Sequence, residues 1–159
     1  MRIGVAAIGR LRGGPEAELV EDYARRIRAM GRAQGVASFD IRDFEAPKGL
    51  EGAQRRECES ALLASAGAKG KRVVLDERGE NLASEALARR IGAWRDAGAP
   101  EIVFLIGGAD GCASSLVESA DLVLAFGKAT FPHLLVRVML VEQIYRAITI
   151  LASHPYHRA

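Results

Sequence analysis

The chain has 159 residues, 49% of them hydrophobic, which suits one domain with a real core and leaves too little for two. Its 22 basic and 20 acidic residues give a formal net charge of only +2, so it is no general polycation and any polynucleotide contact must be local. Cys58 and Cys112 are too few for a disulfide framework and lack metal-ligand spacing, which implies a reduced, cytoplasmic compartment and no metal centre.

Ile3 to Ile8 is a short apolar run that stops at Gly9, the form of a buried strand rather than a signal peptide. Pro15 then opens a helical pattern to Met30. Leu19, Val20, Tyr23, Ile27 and Met30 recur at three and four residues, with charged side chains on the other face. Ala37 to Phe44 alternates as a second strand. Pro47, Lys48, Gly49 and Gly52 mark a loop, and Glu51 to Ala66 predicts a helix. Arg72 to Asp76 is a third strand, with Glu77, Arg78 and Gly79 as its turn and Leu82 to Trp94 as the next helix. Glu101 to Ile106 is the most apolar run to that point, a fourth strand halted by Gly107, Gly108 and Gly111, and Asp121 to Phe126 is a fifth. Strands alternating with helices predict an α/β fold with a mostly parallel central sheet in a single domain over residues 1–159.

The last helix is predicted to begin near Thr130 or Phe131, with Thr130 as a capping hydroxyl and Pro132 in the first turn. From Leu134 to Leu151 its only charges are Arg137, Glu142 and Arg146, so nearly every face is apolar and calls for cover on several sides. A partner subunit is the simplest extra cover. The same charges argue against a membrane span.

The turn Gly107 to Gly111 could bring backbone amides to a nucleotide-like ligand at the carboxyl ends of the strands. Its spacing is neither G-x-G-x-x-G nor a Walker motif, and such a turn is purely structural about as often. Asp76 could hold a ligand, although capping its own turn is the commoner fate. His133, at a helix start, suits packing or capping better than catalysis. Arg146 needs an anion, either Glu142 four residues earlier or something bound. The terminal His154, Tyr156, His157 and Arg158 offer a base, a stacking ring and a phosphate contact, where disorder is the usual condition of a C-terminus.

LIGGADG at Leu105 to Gly111, FGKATFPH at Phe126 to His133, RVMLVEQIYRA at Arg137 to Ala147 and the terminal HPYHR together resemble the RlmH family of SPOUT-class methyltransferases. The resemblance runs the full length and is loosest from Arg10 to Gly70. It implies a trefoil-knotted domain that binds S-adenosylmethionine, works as a homodimer, and methylates N3 of a pseudouridine in 23S ribosomal RNA on the assembled ribosome. It further implies that Leu75, Gly107 and the loop of Phe126, Gly127, Lys128, Ala129, Thr130 and Phe131 hold the methyl donor. In this reading His157 is the candidate base, with His154 behind it, Tyr156 stacks on or bonds the target base, and Arg146 and Arg158 hold the developing anion or a phosphate. The competing class is a non-catalytic ribosome-binding or assembly factor with the same fold, which needs neither donor loop nor tail. An unrelated nucleotide-binding α/β enzyme is third.

Overall fold

The computed structural model describes residues 1–158, the side chains of His157 and Arg158 excepted. Five strands form one sheet in the order β2-β1-β4-β3-β5, every neighbouring pair parallel. They are β1 (Arg2–Ile8), β2 (Ser38–Phe44), β3 (Lys71–Glu80), β4 (Glu101–Ile106) and β5 (Leu122–Leu124). The helices are α1 (Pro15–Gly31), α2 (Gly52–Ala66), α3 (Ser84–Asp96), the short α4 (Ser114–Glu118) and α5 (His133–Leu151). A parallel pair needs a crossover, and the helices supply it on both faces, which is why β1 and β4 are apolar almost end to end.

Two apolar layers result. Ile3, Val5, Phe104 and Ile106 face α1, α3 and α5, whereas Ala6, Val74, Val103 and Leu105 face α2 and α4. The predicted elements agree with this arrangement to within a few residues, α4 excepted, because its five residues carry too little periodicity to be seen.

Three expectations change. Glu77 to Gly79 is no turn: β3 continues to Glu80, and its pairing with β5 shifts register between Leu75 and Glu80. Gly79 allows this, because a Cβ there would lie 2.7 Å from the Val123 backbone. Helix α5 begins at His133, after Pro132 in an extended conformation (ψ 136°), and Thr130 makes no capping bond. A proline disfavours helical geometry in the residue before it, so Phe131 cannot open the helix. Finally, the chain itself covers most of α5. Leu140, Val141, Ile144, Ala147 and Ile148 are fully buried against the sheet, α1 and α3, so the helix alone does not demand a partner.

The buried Arg137 of α5 is the polar tie in this layer. It is 0% exposed, and its Nη1 donates to Asp43 Oδ1 at 2.7 Å, while Nη2 donates to the Gly9 carbonyl at 2.8 Å. Burial lowers its pKa and Asp43 opposes that shift, so the guanidinium stays charged. The pair pins α5 to the carboxyl ends of β1 and β2. Among the described residues no helix is long and apolar enough to cross a membrane.

Candidate active site

At the carboxyl ends of β3, β4 and β5 the structure opens a cavity of about 510 Å³. Its walls come from Leu75 to Arg78 on β3, Ile106 to Cys112 after β4, Leu124 to Gly127 after β5, and Ala129 to Phe131 with His133 and Val136 at the start of α5. Arg56 of α2 closes one side. Every residue that the resemblance pointed to for donor binding lines this cavity except Lys128. Parallel strands expose free main-chain groups where they end, so ligand sites collect there.

Close main-chain approach shapes the walls. A Cβ on Gly107 would lie 2.8 Å from Cys112 Sγ and 3.0 Å from the Gly111 carbonyl, so the strand can enter its turn only as glycine. The turn closes when the Gly111 N–H donates to the Gly108 carbonyl at 3.0 Å, with Gly111 at φ +73°. Gly127, at φ +127°, gives the second loop its bend.

Two of the ionisable groups on the walls, Asp76 and Arg78, are committed to each other. Asp76 accepts from the Arg78 main-chain N–H at 3.0 Å and takes both Nε and Nη2 of Arg78, at 2.8 and 2.9 Å. The Arg78 bond holds its carboxyl below the usual carboxylate range. Asp76 therefore caps the strand's local bend and pairs with its neighbour. Burial pushes the Cys112 thiol up to about 11, so it lies on the wall as a neutral group. His133 is exposed on the rim, with Nε2 3.8 Å from where a Gly9 Cβ would stand.

The C-terminal residues gather elsewhere. Residues Pro155–Arg158 form a 3-10 turn packed on α5. Tyr156, expected to meet the nucleotide, lies inside its own chain. Its hydroxyl donates to Glu142 Oε1 at 3.1 Å and lies 3.4 Å from the Tyr23 hydroxyl, and its ring packs edge-on to Tyr145 with centroids 4.7 Å apart. Burial, then Tyr23 and Glu142, raise its pKa. Arg146 finds its anion in Glu142 at 2.8 Å and lies over the Tyr156 ring at 5.1 Å. His154 Nδ1 accepts from the Tyr156 N–H at 3.2 Å. The side chains of His157 and Arg158 lie outside the described residues. Six residues of α5 separate Val136 on the cavity wall from Glu142, roughly 9 Å along the helix. Tyr23 and Glu142 line a second cavity, which shares Leu124 and Phe126 with the first, while no described residue of the C-terminal turn is on the wall of the first.

Arg56, Arg78, Cys112 and Val136 were not singled out as wall residues. Nothing local in the sequence marks them, since α2 and the far side of the glycine turn meet only through the crossover.

A profile of the family described as "Predicted SPOUT methyltransferase" matches residues 1–157. The chain is 49% identical over 160 residues, covering all of both chains, to the ribosomal RNA large subunit methyltransferase H of Rhodopseudomonas palustris (strain BisB5). It is 52% identical over 159 residues, 99% of each chain, to the protein of that name from Maricaulis maris (strain MCS10). In fold it is similar to a probable methylase family protein from Haemophilus influenzae Rd KW20, with a TM-score of 0.53 at 10% identity over 98% of this chain and 69% of the other.

Proposed function

The chain belongs to the SPOUT methyltransferase family, and from that membership we propose a single-domain enzyme that transfers a methyl group from S-adenosylmethionine to large-subunit ribosomal RNA. The finer reading is N3 of a pseudouridine, on the assembled ribosome, by a cytoplasmic homodimer whose chain forms the trefoil knot. One observation carries the catalytic reading. The cavity at the ends of β3, β4 and β5 brings together Leu75, Gly107 and the 126–131 loop, which are distant in sequence.

The cavity fits the donor. Its volume lies within the usual range for small-molecule sites. Leu75, Ile106, Leu124 and Phe126 offer apolar wall for a purine, and Glu77 and Asp110 bring carboxylates toward a sulfonium and an ammonium, Asp76 being paired with Arg78. The donor supplies a methyl group already activated on sulfur. The protein must hold the acceptor in line and remove the N3 proton, since the neutral imide is a poor nucleophile.

His157 is the proposed base, with His154 second, and Arg158 the contact to the developing anion or a phosphate. Arg146 and Tyr156, both engaged with Glu142, anchor the turn that carries them. Because no described residue of this turn lines its own cavity, the proposed catalytic pairing is between one subunit's tail and its partner's donor site. Leu19 and Leu135 are 48% and 42% exposed, and beside Leu19 a second cavity of about 430 Å³ lies between α1 and α5, apolar surface for such a partner.

Calorimetric titration with S-adenosylmethionine should show saturable binding. Methyl incorporation into intact large subunits should exceed that into protein-free 23S RNA. A folded chain that binds no donor would leave an assembly factor, and equal incorporation into free RNA would remove the ribosome from the reading.

A further inference from the structure

Glu59 of α2 is 1% exposed, and its Oε1 accepts from Arg55 Nε at 2.8 Å. Its Oε2 is buried and has no hydrogen-bond partner among the described residues. That oxygen lies against the glycine turn of the cavity. A Cβ built on Gly108 would stand 2.5 Å from Oε2 and 3.2 Å from Ile8 Cγ2. The φ of Gly108 lies outside the left-handed range, so what limits a side chain here is the closeness of the Glu59 carboxylate and Ile8, and not the backbone conformation. The next residue of α2 holds the far end of the same segment, where Ser60 Oγ accepts from the Ala113 N–H at 2.8 Å. Between these two holds lie Gly108 to Cys112, and their other side is the cavity wall. A carboxylate oxygen is rarely buried without a donor, because it gives up hydration and receives nothing in return.

We propose that Glu59 is a positioning residue for methyl transfer: its carboxylate sets the height of the Gly107 to Gly111 turn, and its free oxygen accepts a turn amide when the donor seats against Gly107. This rests on the donor occupying the cavity described above. Arg55 keeps one oxygen in place while the second supports the turn from behind, so the main chain presented to the donor is fixed from α2. The segment least marked by sequence motifs thereby acts on the reaction without touching a reactant.

Calorimetry with S-adenosylmethionine and steady-state methylation of large subunits test this in five variants. Glu59→Ala should weaken donor binding by about tenfold, the loss of one hydrogen bond to a charged group. Glu59→Gln keeps the volume and an acceptor oxygen and should stay within about threefold. The KM for large subunits should not move in either. Gly108→Ala should weaken donor binding by about tenfold alone but by less than about twofold in the Glu59→Ala background, where its Cβ no longer meets Oε2. Normal donor binding by Glu59→Ala overturns the proposal, as does additivity of the two changes. Equal losses in Glu59→Ala and Glu59→Gln that track a common fall in Tm also overturn it, since they mean support of the fold alone. Gly108→Ala reads the same contact in a chain with an unaltered α2. Gly107→Val separates the two readings: if it binds donor normally the cavity is not the donor site, whereas its loss beside an unaffected Glu59→Ala removes only the role of Glu59.

Discussion

The cavity at the ends of β3, β4 and β5 is shaped at its glycine turn by close approach to the main chain, whereas the face where α1, α5 and the C-terminal turn meet is held by side chains. At Gly107 and Gly108 an added Cβ would come within 3 Å of another atom. At the other face Tyr23, Tyr145, Tyr156, Glu142 and Arg146 meet through rings, hydroxyls and an ion pair. The first region should fail when an atom is added and the second when atoms are removed. This follows from close packing, which leaves no slack for a new Cβ, and from the modest worth of partly exposed polar contacts.

The largest effect should come from deleting residues 154–159. Donor binding should survive while methyl transfer falls by about a thousandfold, the usual scale for loss of a general base. Mixing this deletion with Gly107→Val subunits sharpens the comparison, since each mixed dimer would hold one sound cavity facing one sound tail. Recovered activity supports action across the dimer; none, with mixed dimers shown to form, assigns each tail to its own chain. Asp43→Ala tests the tie that holds α5, which runs from one region to the other, to the ends of β1 and β2. It leaves Arg137 buried without its anion and should cost about 3 kcal/mol in denaturant unfolding. A loss below about 1 kcal/mol would show that the Gly9 carbonyl and water suffice.

Gly107→Val should reduce donor affinity by about a hundredfold, with the fold retained, because the valine displaces Cys112 and the turn. Unchanged affinity in the folded variant would break the contrast between the regions. The smallest effect belongs to Tyr156→Phe, about 1 kcal/mol or less. Its sign with pH is fixed. The folded-state pKa of Tyr156 is raised, so its contribution is complete below the unfolded value of about 10 and is lost as pH rises beyond it. Thermal unfolding between pH 8 and pH 11 should fall more steeply in the parent chain than in Tyr156→Phe.

The order of strands and helices was legible because a buried parallel strand is apolar along its length and its crossover helix is not. Ile3 to Ile8 and Glu101 to Ile106 announced themselves that way, and the motifs at Gly107 and Phe126 to Phe131 marked loops that line the cavity. Tertiary structure alone decided the rest. The run through Glu77 to Gly79 carries turn-forming residues yet stays extended, because β5 lies against Gly79 and pairs with Glu80. The apolar length of α5 suggested a missing partner, but the number of layers around a helix is set by how the chain folds back and leaves no mark in the helix itself. Glu59 reads as one acid on a charged helix face, and only the crossover from β2 to β3 carries it under Gly108. Tyr156 reads as a ring free to stack, and only the end of α5 beside α1 turns it toward Tyr23 and Glu142. Local patterns record which side of an element is apolar; the partner that meets the other side is chosen by contacts far away in the chain, for which no single segment holds a signal.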